Sequence, residues 1–192
     1  YYHPDETVDL AALPFRATQG AGFECLFISE NDLLTDAIAE EYGIDVGNEC
    51  YTVGLFRYLT GSERNLPVVF TGHVALWNES GIPIWNKTKN RAEHVHGHLI
   101  QSHGLQGASG SPVLVRAGIS LQGVPLDSGE AANIILSFQK PWLLGIFQGA
   151  WFLPPDEIQR AAIGANAGDT VPVGLGIVVP CAKIIELLEI PE

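Results

Sequence analysis

An all-β fold is predicted by three features of this sequence. Apolar residues gather in short runs, glycine and proline stand between the runs, and most breaks carry a turn signal. With 21 Gly and 12 Pro in 192 residues, punctuation is frequent enough for many short elements. Hydrophobic residues at 46% against 17% charged supply a sizeable core, so a disordered chain is excluded. The length suits one larger domain or two packed halves.

Taken in order, residues 8–13 form an apolar run with one acidic residue inside it, and residues 23–28 form another; both are predicted strands. Residues 31–42 place Leu33, Leu34, Ala37 and Ile38 at helical spacing before Gly43, which predicts a helix. Val46-Gly47-Asn48 is a turn that launches residues 49–56, where Cys50, Tyr51, Val53, Leu55 and Phe56 suit a buried strand. A polar loop over 57–66 leads to a second long β-type run at 67–76. A turn at 78–83 and a strand-like run at 93–100 follow. Residues 112–115, 142–147 and 171–179 are three further strands, parted by two long loops rich in Gly, Pro, Asp and Ala. Ile184, Ile185, Leu187 and Leu188 then repeat with helical period, making residues 183–189 a short terminal helix behind Pro180.

Charge and cysteine content narrow the function classes. Ten Lys+Arg against 22 Asp+Glu give a net charge of −12, which repels phosphate and leaves no basic stripe for nucleic acid. The longest uncharged run, 141–155, is broken by two glycines and a glutamine and falls short of the roughly 20 apolar residues a spanning helix needs. No membrane segment and no signal peptide is therefore expected. Cys25, Cys50 and Cys181 are odd in number and far apart, which reads as buried free thiols and leans towards a reducing, cytoplasmic compartment, although a bacterial exported protein without disulfides would look the same. The sequence has no methionine and so no initiator, and its start is expected to be missing or processed.

The stretch richest in chemistry is Gly107-Ala108-Ser109-Gly110-Ser111-Pro112-Val113. Small residues flank one serine, and a β-run begins directly after it. Glycines on both sides let the backbone turn sharply and point N–H groups inward, as a tetrahedral oxyanion requires. This stretch resembles the nucleophile motif of the trypsin-like serine peptidases, in the bacterial form G-x-S-G-S-P-V. The resemblance implies Ser109 as nucleophile and the N–H groups of Gly107 and Ser109 as oxyanion hole. The α/β-hydrolase elbow G-x-S-x-G fits less well, because Ser111 stands at its last glycine and a β-run follows where a helix should start.

Val8-Asp9-Leu10-Ala11-Ala12-Leu13 resembles the same family's D-[ILV]-A-x-L strand, whose aspartate orients the catalytic imidazole. A carboxylate inside an apolar strand is costly to bury without hydrogen-bond donors, so a functional partner for Asp9 is expected. Residues 47–54 resemble the family's interdomain segment, and residues 68–75 the strand after it. Residues 143–146 resemble the strand beside the substrate backbone, and residues 174–180 the last strand before the terminal helix. The resemblance thus implies Ile146, Phe147 and Gln148 beside substrate. It also implies His103, six positions before Ser109, in the specificity pocket, so that a preference for Lys or Arg is not expected.

The family's histidine precedes the aspartate by some 40 to 50 residues in a T-A-x-H type motif. None of His3, His73, His94, His96, His98 and His103 stands in one. The resemblance therefore puts the general base upstream of Tyr1, without which Ser109 is a weak nucleophile. His94, His96 and His98 alternate and would share one face of a strand. Spread over roughly 13 Å, they are too far apart for one zinc, and no metal site is expected.

The expected protein is a chymotrypsin-like double antiparallel β-barrel with its N-terminal barrel incomplete and a short C-terminal helix. It is a single domain over 1–192, with 1–76 the remainder of the first barrel and the interdomain segment, and 77–192 the second barrel and helix. The expected activity is endopeptidase cleavage of a polypeptide substrate through an acyl-enzyme on Ser109, with no cofactor. The alternative is a peptide-binding relative that keeps the cleft and lacks the chemistry.

Overall fold

The computed structural model describes residues 1–15, 27–55, 66–77, 81–86, 91–102, 107–118, 140–152 and 172–190. Among them are eight strands: β1 (Glu49–Leu55), β2 (Pro67–Leu76), β3 (Ile82–Asn86), β4 (Arg91–Val95), β5 (His98–Gln101), β6 (Pro112–Val115), β7 (Trp142–Phe152) and β8 (Pro172–Pro180). Two short helices accompany them, α1 (Asp36–Tyr42) and α2 (Cys181–Leu188). Neither is long and apolar enough to cross a membrane.

Six strands close into a barrel in the order β1-β2-β5-β8-β7-β6, shut by pairing of β1 with β6, and every pairing is antiparallel. Closure leaves the barrel no free edge, which removes the main hazard of a β-rich chain. β3 and β4 form a separate two-stranded sheet. The barrel core follows from alternation along each strand. In β6, Val113 and Val115 are fully enclosed while Pro112 and Leu114 are half-buried. Cys50, Val74, Ile100, Leu144, Phe147 and Val178 bring the other five strands to the same core.

Three expectations need correction. Residues 8–13 form no strand. The leading segment folds back on itself instead, with a bridge between Tyr2 and Ala11 and bonds from His3 N to Leu10 O and from Ala12 N to Tyr1 O. A strand needs a partner edge, and the closed barrel offers none. The predicted helix over 31–42 divides in two. A 3₁₀ turn at Glu30–Asp32 comes first, then Leu33 and Leu34 run extended beside Leu143, and Thr35 caps α1 by accepting from Ile38 N. Both leucines are buried by this docking, so tertiary packing overrides the helical spacing. The run at 93–100 breaks at His96-Gly97 into β4 and β5, which belong to different sheets.

β1 and β2 are staves of the barrel alongside β5 to β8. β7 runs five residues past the expected end at 147. The predicted strand at 23–28 lies outside the described residues up to 26, and Phe27 and Ile28 are unpaired and exposed.

Candidate active site

The serine loop connects β5 to β6. Its described part begins at Gly107 and runs straight into Pro112, the first residue of β6. Ser111 N donates to Ala108 O at 3.0 Å and closes a four-residue turn. Gly110, third in that turn, has φ +85°, the geometry of a type II turn, and Gly107 before it has φ +93°. Both glycines thus occupy backbone regions where a side chain would be strained. Ser109, between them, is exposed, while Ala108 is buried and anchors the loop from beneath.

β7 holds the loop in place. Gly110 N donates to Phe147 O and Phe147 N donates to Ser111 O, both at 2.8 Å, while Pro112 pairs with Ile146. The two hydrogen bonds set the serine turn on a rigid strand of the barrel. Among the described residues, no hydrogen bond occupies the N–H groups of Gly107 and Ser109. Ser111 is buried, and its Oγ sits against Gly54, where a Cβ would overlap it. The sequence marks Gly54 only as a strand end; that it makes room for the serine loop emerges from the packing.

The three residues expected beside substrate have different roles in the fold. Ile146 is half-buried, whereas Phe147 is fully enclosed, with its ring packed under Gly176. Phe147 therefore lends its backbone to the loop and its side chain to the core. Gln148 is the extra residue of a β-bulge: Phe147 pairs with Val178 and Gly149 with Ile177, leaving Gln148 without a partner on β8. Its Oε1 is buried with no hydrogen-bond partner. A bulge beside the serine loop re-aims one side chain, and this one carries an unsatisfied acceptor. His103 lies outside the described residues.

Asp9 is exposed and sits at the centre of a γ-turn, in which Leu10 N donates to Val8 O at 3.0 Å. Among the described residues no hydrogen bond or ion pair joins it to Ser109 or to a histidine, so the buried, partnered carboxylate expected in a strand is absent from this position. The described histidines also lie in other contacts. His3 is buried, with Nε2 3.3 Å from Glu186 Oε2, within ion-pair reach though outside hydrogen-bond angles. His94 is exposed on β4 and His98 buried on β5, packed on Trp77 with ring centroids 4.3 Å apart. His94, His96 and His98 do not share one strand face, and no group of three metal-ligating side chains occurs among the described residues.

Two of the three cysteines are free and buried, and Cys25 lies outside the described residues. Burial pushes the Cys50 thiol up to about 12 and the Cys181 thiol up to about 11. Both are inert as nucleophiles near neutral pH, which leaves Ser109 as the candidate in this region. No protein-family model, curated protein or solved structure matches this chain.

Proposed function

We propose that this chain is the larger part of a trypsin-like serine peptidase domain that cleaves polypeptides through an acyl-enzyme on Ser109. The observation that carries the reading is the serine turn itself. An exposed serine stands between two positive-φ glycines, on a loop bonded to the adjacent barrel strand, and among the described residues nothing bonds the backbone N–H groups of Gly107 and Ser109. A tetrahedral oxyanion accepting from those two donors would be stabilised by them. The six-stranded barrel is consistent with the second barrel of the chymotrypsin fold, and a first barrel completed from outside residues 1–192 belongs to the proposal.

In this mechanism Ser109 Oγ attacks the scissile carbonyl and passes its proton to an imidazole from a segment preceding Tyr1. The same imidazole protonates the leaving amine, and water then hydrolyses the ester. Asp9 orients that imidazole, which requires its exposed γ-turn to become covered when the upstream segment is in place. The Gln148 carboxamide, with its unpartnered oxygen, accepts a hydrogen bond from bound peptide.

A serine-directed phosphonate tests the assignment on two chains, this one and a longer one carrying the preceding segment. Labelling of the longer chain at Ser109, absent in Ser109→Ala and in the short chain, is the expected result. Equal labelling of both chains would place the base within residues 1–192, with His3 the first histidine to replace. No labelling of either favours the second reading, a peptide-binding relative. That reading draws its support from the solvent-facing Asp9 and from histidines that contact other parts of the fold.

A further inference from the structure

The start of β5 opens into a cavity whose lining holds none of residues 107–111. His98 begins β5 and pairs with Val178, the residue of β8 that pairs with Phe147 on its other side. The cavity has a volume of about 390 Å³ and lies between the start of α1, the end of β2 and the start of α2. Its walls include Leu34, Leu144 and Ile185, with Trp77 on one side and the polar groups of Asp36 and His98 among them.

His98 is the informative residue. It is only 6% exposed, yet no hydrogen bond serves Nδ1, and its ring is packed on Trp77. Burial lowers its pKa to about 4, against a weaker opposing pull from the Asp36 carboxylate, so the ring is neutral and retains one acceptor nitrogen at neutral pH. A buried imidazole with unmet hydrogen-bonding capacity is costly, and a ligand donor would offset that cost. Formal charge favours a cation as well. Lys183 and Glu186 bind each other at 2.8 and 2.9 Å and cancel, which leaves Asp36 as the uncompensated charge on the wall. The start of α2 acts in the other direction, because Pro180 supplies no side-chain cap and exposed helix N–H groups favour anions.

We infer that this cavity binds a small organic cation, with the apolar body against Leu34, Leu144 and Ile185 and a primary ammonium held between Asp36, His98 and the Trp77 ring. A neutral imidazole, a carboxylate and an aromatic wall form an ammonium-binding set, and each element alone is worth little in water. The strongly acidic chain adds long-range attraction for a cation.

Benzylammonium is the probe, with benzoate as its anionic counterpart of similar shape, and the Trp77 indole N–H resonance is the readout. The expected result is a saturable shift with benzylammonium and none with benzoate. Asp36→Asn should weaken binding about tenfold. His98→Phe should weaken it too, and circular dichroism would establish that this variant folds. Asp36→Asn carries the test alone if it does not. Binding in Ser109→Ala should equal that of the parent chain, which separates this inference from the peptidase reading. A saturable shift with benzoate alone would reassign the cavity to anions bound at the start of α2. No shift with either probe, or loss of binding in Ser109→Ala, would overturn the proposal.

Discussion

The barrel and the segment leading to it draw on the same kinds of residue and use them in opposite ways. In the barrel, Val113, Val115, Phe147 and Val178 are fully enclosed, because closure puts a facing strand within reach of every inward side chain. In the leading segment, Tyr1, Tyr2, Leu13, Phe15, Phe27 and Ile28 stay exposed, and among the described residues before α1 only Val8, His3, Leu33 and Leu34 find cover. Apolar character is therefore necessary for burial and does not ensure it. What distinguishes the regions is pairing: the barrel strands satisfy one another's backbone, whereas among the described residues the backbone of 1–12 bonds only within its own loop.

Two phenylalanines sharpen this contrast with the largest expected difference. Phe147→Ala should cost about 3–5 kcal/mol in urea unfolding, since it opens a cavity under Gly176 in a closed core. Phe27→Ala, at a side chain 71% exposed, should stay within about 0.5 kcal/mol. A comparable loss for Phe27 would show that the leading segment is covered in solution and would end the comparison.

The next effect comes from pH. The folded-state pKa of His98 lies at about 4, below the ordinary 6.5, so the unfolded chain takes up a proton first as pH falls. Stability should drop between about pH 6.5 and 4, by an amount on the order of 3 kcal/mol, and then level off with respect to this group. Denaturation midpoints for His98→Phe should lose that component of the slope. An unchanged slope would mean that His98 is charged inside the fold.

Gly54→Ala probes the seat of the serine loop. The added methyl meets Ser111 Oγ, and overpacking of this kind costs about 1–3 kcal/mol. Amide shifts should spread from β1 to residues 107–111 even where the fold survives. Shifts confined to β1 would show that Gly54 does not support the loop.

The smallest effect belongs to the exposed surface. A hydrogen bond from Lys140, then bonds from Ser29, hold Asp32 at about 2. Its contribution is present above the ordinary carboxylate pKa and is lost as pH falls through about 2. Lys140→Gln should move the Asp32 titration, followed by carboxyl NMR, upward toward the ordinary value with little change in stability. An unmoved titration would assign the shift to Ser29 alone.

The sequence by itself determined where four of the six barrel strands would form. Residues 67–76 and 112–115 are strands to the residue, and 49–56 and 171–179 to within one, because β-branched and aromatic runs between turn residues bury well only in a sheet. It also marked Gly107 to Val113 as a tight turn ahead of a strand, since glycine is the residue that accepts positive φ. Tertiary structure alone decided which strands close the barrel, how β7 fastens the serine turn, and why Gln148 stands out on a bulge. Those outcomes depend on pairings between residues far apart in the chain, which no local pattern encodes. The same holds for Asp9: its neighbours describe a strand, and among the described residues no strand edge pairs with it.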